Sequence, residues 1–218
     1  DALGDISPLA GLTGLTRLAL HCERVSLDDL SALAALNALT GLSLYSPGIE
    51  DITPLAGLSG LSFLHIENTG VRSLAPLSGL TELKILRLAD NFTGTGELDL
   101  SPLSALAGLE SLCVRSCGVL SLEALAGLNA LTYIDVYDNY IADISPVSGL
   151  LRLEYLNIGK NRHFVESEYG TNAVYIEDLS ALSGLTNLKT LKLNDSFVSS
   201  VEPLSGLTNL KRLEISSS

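Results

Sequence analysis

The chain has 218 residues, 46% of them hydrophobic but only 5% aromatic, with a formal net charge of −12. Its acidity argues against nucleic acid and anionic membrane as partners. No apolar run approaches the roughly 20 residues of a membrane span, so membrane insertion is not expected.

In chain order, one leucine pattern begins again at Leu15, Leu39, Leu61, Leu83, Leu109, Leu131, Leu153, Leu188 and Leu210, with gaps of 24, 22, 22, 26, 22, 22, 35 and 22 residues. The clearest copy is LTYIDVYDNYIADISPVSGLLRL, from Leu131 to Leu153. Its first half carries a short strand, Ile134-Asp135-Val136, in which side chains alternate faces. Its second half carries Asp143-Ile144-Ser145-Pro146, then an apolar residue at every third position. The reading is one domain, 1–218, of about nine units, with insertions near 24–29, 93–97 and 162–177. All three insertions fall between a strand and the following turn, hence on one edge.

A period of 20 to 29 with this spacing is the signature of leucine-rich repeats. One three-residue strand cannot bury its own apolar side, so units must stack. The predicted fold is α/β: a right-handed solenoid with a parallel concave sheet of about nine short strands. The convex return segments are expected to be short 3₁₀ or helical turns. Six of the seven prolines share one position there: Pro8, Pro54, Pro76, Pro102, Pro146 and Pro203. The preceding Ser or Thr hydroxyl is expected to cap the turn. The small residue three positions after that proline site (Gly11, Ala35, Gly57, Gly79, Ala105, Gly127, Gly149, Gly184, Gly206) suggests close packing of neighbouring turns. After each strand, Asn91, Asn139 and Asn161 are placed to bond the backbone of adjacent coils. Cys117 is an accepted substitute there, and Thr69, Ser196 and Ser218 serve in part. Glu23 and Pro47 are poor substitutes, so a less regular ladder is expected near the N-terminus.

The phrases Asp143-Ile144-Ser145-Pro146 and Asp51-Ile52-Thr53-Pro54 resemble the bacterial 22-residue class of leucine-rich repeats, as in internalins. That resemblance implies a solenoid that binds another macromolecule on its concave face, and a secreted or cell-surface bacterial protein; the alternative is cytoplasmic, as in similar phosphatase-regulating proteins. No methionine and no terminal capping segment are seen, so the expectation is a processed protein or an array excised from a larger one. Uncapped terminal coils would allow self-association.

The outward strand positions form three rows in which Arg and Lys slightly outnumber Asp and Glu. Aromatic and arginine side chains on an open sheet are the usual material of binding hot spots. The candidate partner-binding residues are therefore Tyr45, Phe63, His65, Glu67, Arg87, Arg115, Tyr133, Asp135, Tyr137 and Tyr155. The long insertion adds Phe164, Tyr169 and Tyr175, on a loop expected to overhang the concave face. The expected partner is another protein, such as a host or bacterial surface protein. The alternatives are a carbohydrate-binding or adhesive module, for which Tyr133, Asp135 and Tyr137 offer an aromatic platform with a carboxylate, and a structural spacer.

No catalytic constellation assembles. His65 and Cys113 occupy equivalent positions two strands apart, roughly 10 Å, too far for a nucleophile and its base. No histidine pair has metal-site spacing, no loop has calcium-site spacing, and no cofactor is implied. Cys113 and Cys117 are about 13 Å apart along an extended segment, too far for a disulfide.

Overall fold

The computed structural model describes residues 4–23, 27–91, 97–167 and 170–216. Nine strands form one open parallel sheet: β1 (Arg17–His21), β2 (Gly41–Tyr45), β3 (Phe63–Glu67), β4 (Ile85–Ala89), β5 (Ser111–Arg115), β6 (Tyr133–Asp135), β7 (Tyr155–Asn157), β10 (Thr190–Lys192) and β11 (Arg212–Glu214). The third insertion forms an antiparallel hairpin, β8 (Arg162–Ser167) and β9 (Gly170–Tyr175), outside that sheet. Strands β7 and β10 therefore pair directly, with Tyr155 opposite Thr190.

The leucines at every third residue have a direct backbone cause. Leu125 N–H donates to Leu122 O, Leu128 to Leu125 and Leu131 to Leu128, at 2.8, 2.9 and 3.0 Å. Each leucine thus closes one turn and opens the next. A three-residue repeat puts all of them on one side, as 3₁₀ geometry demands. The side chains of Leu125, Leu131, Ile134 and Val136 are fully buried. One such burial contributes roughly 1.5–3 kcal/mol, and stacking repeats the gain in every coil.

The convex turns are 3₁₀ segments of three to five residues, such as Ser101–Ala105 and Glu123–Leu125. Their capping differs from the expectation. The Ser or Thr hydroxyl does not cap; the residue two positions before the turn's first residue does. Carboxylates of Asp5, Asp29, Asp51, Asp99, Asp143 and Asp178 accept the N–H of Ser7, Ser31, Thr53, Ser101, Ser145 and Ser180 at 2.7–2.8 Å. Hydroxyls of Ser73, Ser121 and Ser200 do the same work more loosely, at 3.1–3.3 Å. These are Asx and ST turns. They hold the carboxyls of Asp5, Asp29, Asp51, Asp99 and Asp178 below the usual 3.8.

Crowding does not explain the small residue of the convex turn. A Cβ added at Gly11, Gly57, Gly79, Gly127 or Gly184 meets nothing within 4 Å, and one at Gly149 or Gly206 makes only ordinary contact. The position instead opens a tight backbone reversal. Ala105 O accepts the N–H of Ala107 at 3.0 Å across Leu106, whose φ −85 and ψ 58 are those of an inverse γ-turn.

The asparagine ladder is present. Asn139 Oδ1 accepts from Cys117 N and Val119 N at 3.1 and 3.0 Å, while its Nδ2 donates to Val114 O at 2.7 Å and Val136 O at 3.0 Å. Asn91 accepts from both Thr69 N and Thr69 Oγ1, and Asn161 accepts from Ile141 N. In the second unit the task falls to Ser46, one residue before Pro47: fully buried, its hydroxyl accepts Leu27 N–H at 3.0 Å. The residue before the ladder position turns the chain through the left-handed region at Asn68, Asp90, Ser116, Asp138, Lys160 and Asp195. Asn and Asp tolerate that conformation best.

Candidate concave binding face

The register aligns the outward rows across the sheet. One row runs Arg17, Gly41, Phe63, Ile85, Ser111, Tyr133, Tyr155, Thr190, Arg212. The next runs Ala19, Ser43, His65, Arg87, Cys113, Asp135, Asn157, Lys192, Glu214. Tyr45, Glu67, Ala89 and Arg115 lie in the third. A parallel sheet ordinarily has both faces covered; here one face carries half-buried aromatics and charges instead.

The best organised part lies on β5 to β7. Because Tyr133 and Tyr155 are register partners on adjacent strands, their rings stack at 4.3 Å between centroids and 8° between planes. Beneath them Asp135 is fully buried, which corrects its expected role as a contact residue. It forms an ion pair with Arg115. The Tyr133 hydroxyl donates to its Oδ2 at 3.3 Å, and Asn157 Nδ2 and Tyr137 N donate to its Oδ1 at 3.1 and 3.3 Å. A buried carboxylate is tolerable only with such partners. Asp135 therefore acts as a positioning residue that aims Arg115 and the Tyr133 ring. Burial, then the Asp135 carboxylate, push the Tyr133 phenol above its ordinary value.

The other candidates are distributed around this centre. Lys160 sits 5.8 Å from the Tyr137 ring centroid and pairs with Asp138 at 3.1 Å. His65 Nε2 lies 3.0 Å from Glu67 Oε2. The Tyr45 ring lies 4.2 Å from that of His21, and its hydroxyl accepts from Asn68 Nδ2 at 3.0 Å. Arg87 is exposed and makes no ion pair among the described residues. It separates His65 from Cys113 in the register. Burial and the Asp135 carboxylate raise the Cys113 thiol to about 11.

The long insertion is not brought to this centre by the contacts described. Tyr175 packs on Phe197, ring centroids 4.1 Å apart, and Phe197 follows the ladder residue Ser196 rather than lying in the concave rows. Phe164 falls in β8, but its side chain lies outside the described part; Tyr169 lies outside the described residues altogether.

A feature that sequence reasoning missed lies over β1 to β4. A hollow of about 670 Å3 opens where Gly41 interrupts its row, between Arg17 and Phe63. The bare glycine in an outward row was the available signal.

No family model matches this chain, and no curated protein does. Solved structures do. Internalin C2 of Listeria monocytogenes is 26% identical, with a TM-score of 0.75 over 95% of this chain and 82% of that one. Internalin F of the same organism is 25% identical, with a TM-score of 0.64 over 96% of this chain and 70% of that one. A leucine-rich-repeat protein of Leptospira interrogans superimposes with a TM-score of 0.79 at 20% identity, over 96% of this chain and half of that one. With a 22-residue period, an open parallel sheet and 3₁₀ convex turns, the chain is an internalin-like leucine-rich-repeat protein of the bacterial type.

Proposed function

We propose that the chain is a non-catalytic module that binds another protein on its concave face, centred on Arg115, Tyr133, Tyr137 and Tyr155, and that it acts at the bacterial surface or after secretion. The observation that carries this reading is the stacked Tyr133–Tyr155 pair held over the buried Asp135 network. Aromatic rings and a guanidinium fixed before binding lose little freedom on contact, which favours affinity. Leucine-rich repeats form a family of protein-interaction modules, and the open sheet offers the surface. Among the described residues no helix is long and apolar enough to cross a membrane.

A carbohydrate site on the same tyrosines needs a free carboxylate beside the rings. Both Asp135 oxygens are already engaged by protein donors, which disfavours that alternative. Catalysis at Cys113 is disfavoured by a thiol raised to about 11, since the thiolate is the nucleophile.

The test is capture from a surface extract on the immobilised protein, repeated with Tyr133→Ala/Tyr155→Ala and with the convex control Ser148→Ala. Loss of two hot-spot aromatics should lower affinity about tenfold or more, and the control should not change it. Equal capture by both variants contradicts the reading, and a structural spacer would retain nothing at all.

A further inference from the structure

We infer that the hollow over β1 to β4 is an anchor site for one protein feature: an internal segment presenting a large apolar side chain next to an aspartate or glutamate. This deepens the proposed function and rests on it. The shape comes from the row Arg17, Gly41, Phe63, Ile85. Without a Cβ at residue 41, the aliphatic stem of Arg17 lies down over the buried glycine, its Cγ 3.5 Å from where a Cβ would stand, and the hollow opens beside that stem, towards Phe63 and the small Ala19. The cavity holds about 670 Å3, enough for a large side chain with its flanking backbone. Phe63 and Ile85 are only half buried, so they supply apolar wall still open to a guest.

Charge selects the neighbour of that guest side chain. Elsewhere on the sheet Arg115 pairs with Asp135 and Lys160 with Asp138, while Lys192 and Arg212 share the single carboxylate of Glu214. Arg17 makes no ion pair among the described residues, and neither does Arg87, one row along from Ile85 on β4. Lys84 reaches Glu110 only at 4.0 Å. A chain of net charge −12 thus keeps unmatched positive charge beside an apolar recess. A carboxylate next to an apolar anchor meets both demands at once.

The experiment is amide NMR titration of the whole labelled chain with three blocked peptides: acetyl-Gly-Phe-Glu-Gly-amide, its Gln analogue and its Ala-Glu analogue. The Phe-Glu peptide should give saturable shifts at Gly41 and Ser43. The Gln analogue should bind about threefold more weakly, the size expected for partly exposed ion pairs, and the Ala-Glu analogue about tenfold more weakly. Gly41→Leu should abolish binding; its Cβ would stand 3.5 Å from Arg17 Cγ, an ordinary contact, and the amide spectrum of the free variant, unchanged away from β1 to β3, checks that the fold is kept. Arg17→Gln should erase the preference for Glu over Gln while retaining that for Phe over Ala. Equal binding of the Glu and Gln peptides, or unchanged binding to Gly41→Leu, overturns the assignment. Shifts confined to β6 and β7 also overturn it while leaving the concave-face reading intact. No shift anywhere on the sheet, together with undiminished capture by Tyr133→Ala/Tyr155→Ala, sinks both.

Discussion

Replacing Asn139 by alanine should cost more stability than the same change at Asn161. Its amide is almost fully buried and serves two coils. Truncation strands the N–H groups of Cys117 and Val119, and it removes one donor from Val114 O. An unsatisfied buried group costs about 1–3 kcal/mol, so the two donors alone set a loss of about 2–6 kcal/mol. Asn161 accepts from a single amide, that of Ile141, and Asn161→Ala should cost about half as much. Urea unfolding followed by far-ultraviolet circular dichroism measures both, the midpoint falling at a similar slope. A loss below about 1 kcal/mol for Asn139→Ala, or one no larger than for Asn161→Ala, refutes the claim that side-chain amides hold adjacent coils together.

Other consequences can be checked in the same way. Asp135→Asn keeps the shape but removes the charge that Arg115 pairs with, and it presents an amide nitrogen where an acceptor stood; it should destabilise by about 1–3 kcal/mol and alter the near-ultraviolet tyrosine signal, and an unaltered signal would argue against a positioning role. The turn aspartates Asp5, Asp29, Asp51, Asp99 and Asp178 have lowered folded-state values. Their contribution is therefore complete above the unfolded value near 3.8 and lost as pH falls below it. The melting temperature should hold until about pH 5 and fall below pH 4, and a variant with serine at these five positions, as already found at Ser73, Ser121 and Ser200, should show a shallower acid decline; an unchanged decline would place the acid sensitivity elsewhere. Gly57→Ala should be neutral or stabilising by about 0.4–1 kcal/mol, because its Cβ meets nothing within 4 Å. Gly159→Ala should destabilise, because its Cβ would lie 2.8 Å from Asn194 O; equal effects in thermal melts would contradict the packing described.

The fold was legible because period and alternation are properties of the chain itself. Ile134 and Val136 are apolar at alternate positions, and both are buried; the same alternation placed Tyr133, Tyr155 and Arg87 on the open face. What was not legible depended on neighbours. Asp135 reads as an outward carboxylate until Arg115, Tyr133 and Asn157 from three adjacent strands close over it. Ser46 is inconspicuous beside Pro47, yet it takes the ladder bond one position early. The capping aspartates were visible in Asp143-Ile144-Ser145-Pro146, but the acceptor is the first residue of that phrase and not the third. The Gly41 hollow exists only because Arg17 and Phe63 flank it from other coils.

The most direct measurement is site-specific photo-crosslinking to a captured partner. A photoreactive residue placed at Ser43 or Ser111, on the open rows of β2 and β5, should yield a covalent adduct, and one at Ser148 on a convex turn should not. Adducts from Ser148 with none from Ser43 or Ser111 would put the working surface on the opposite side and contradict the account.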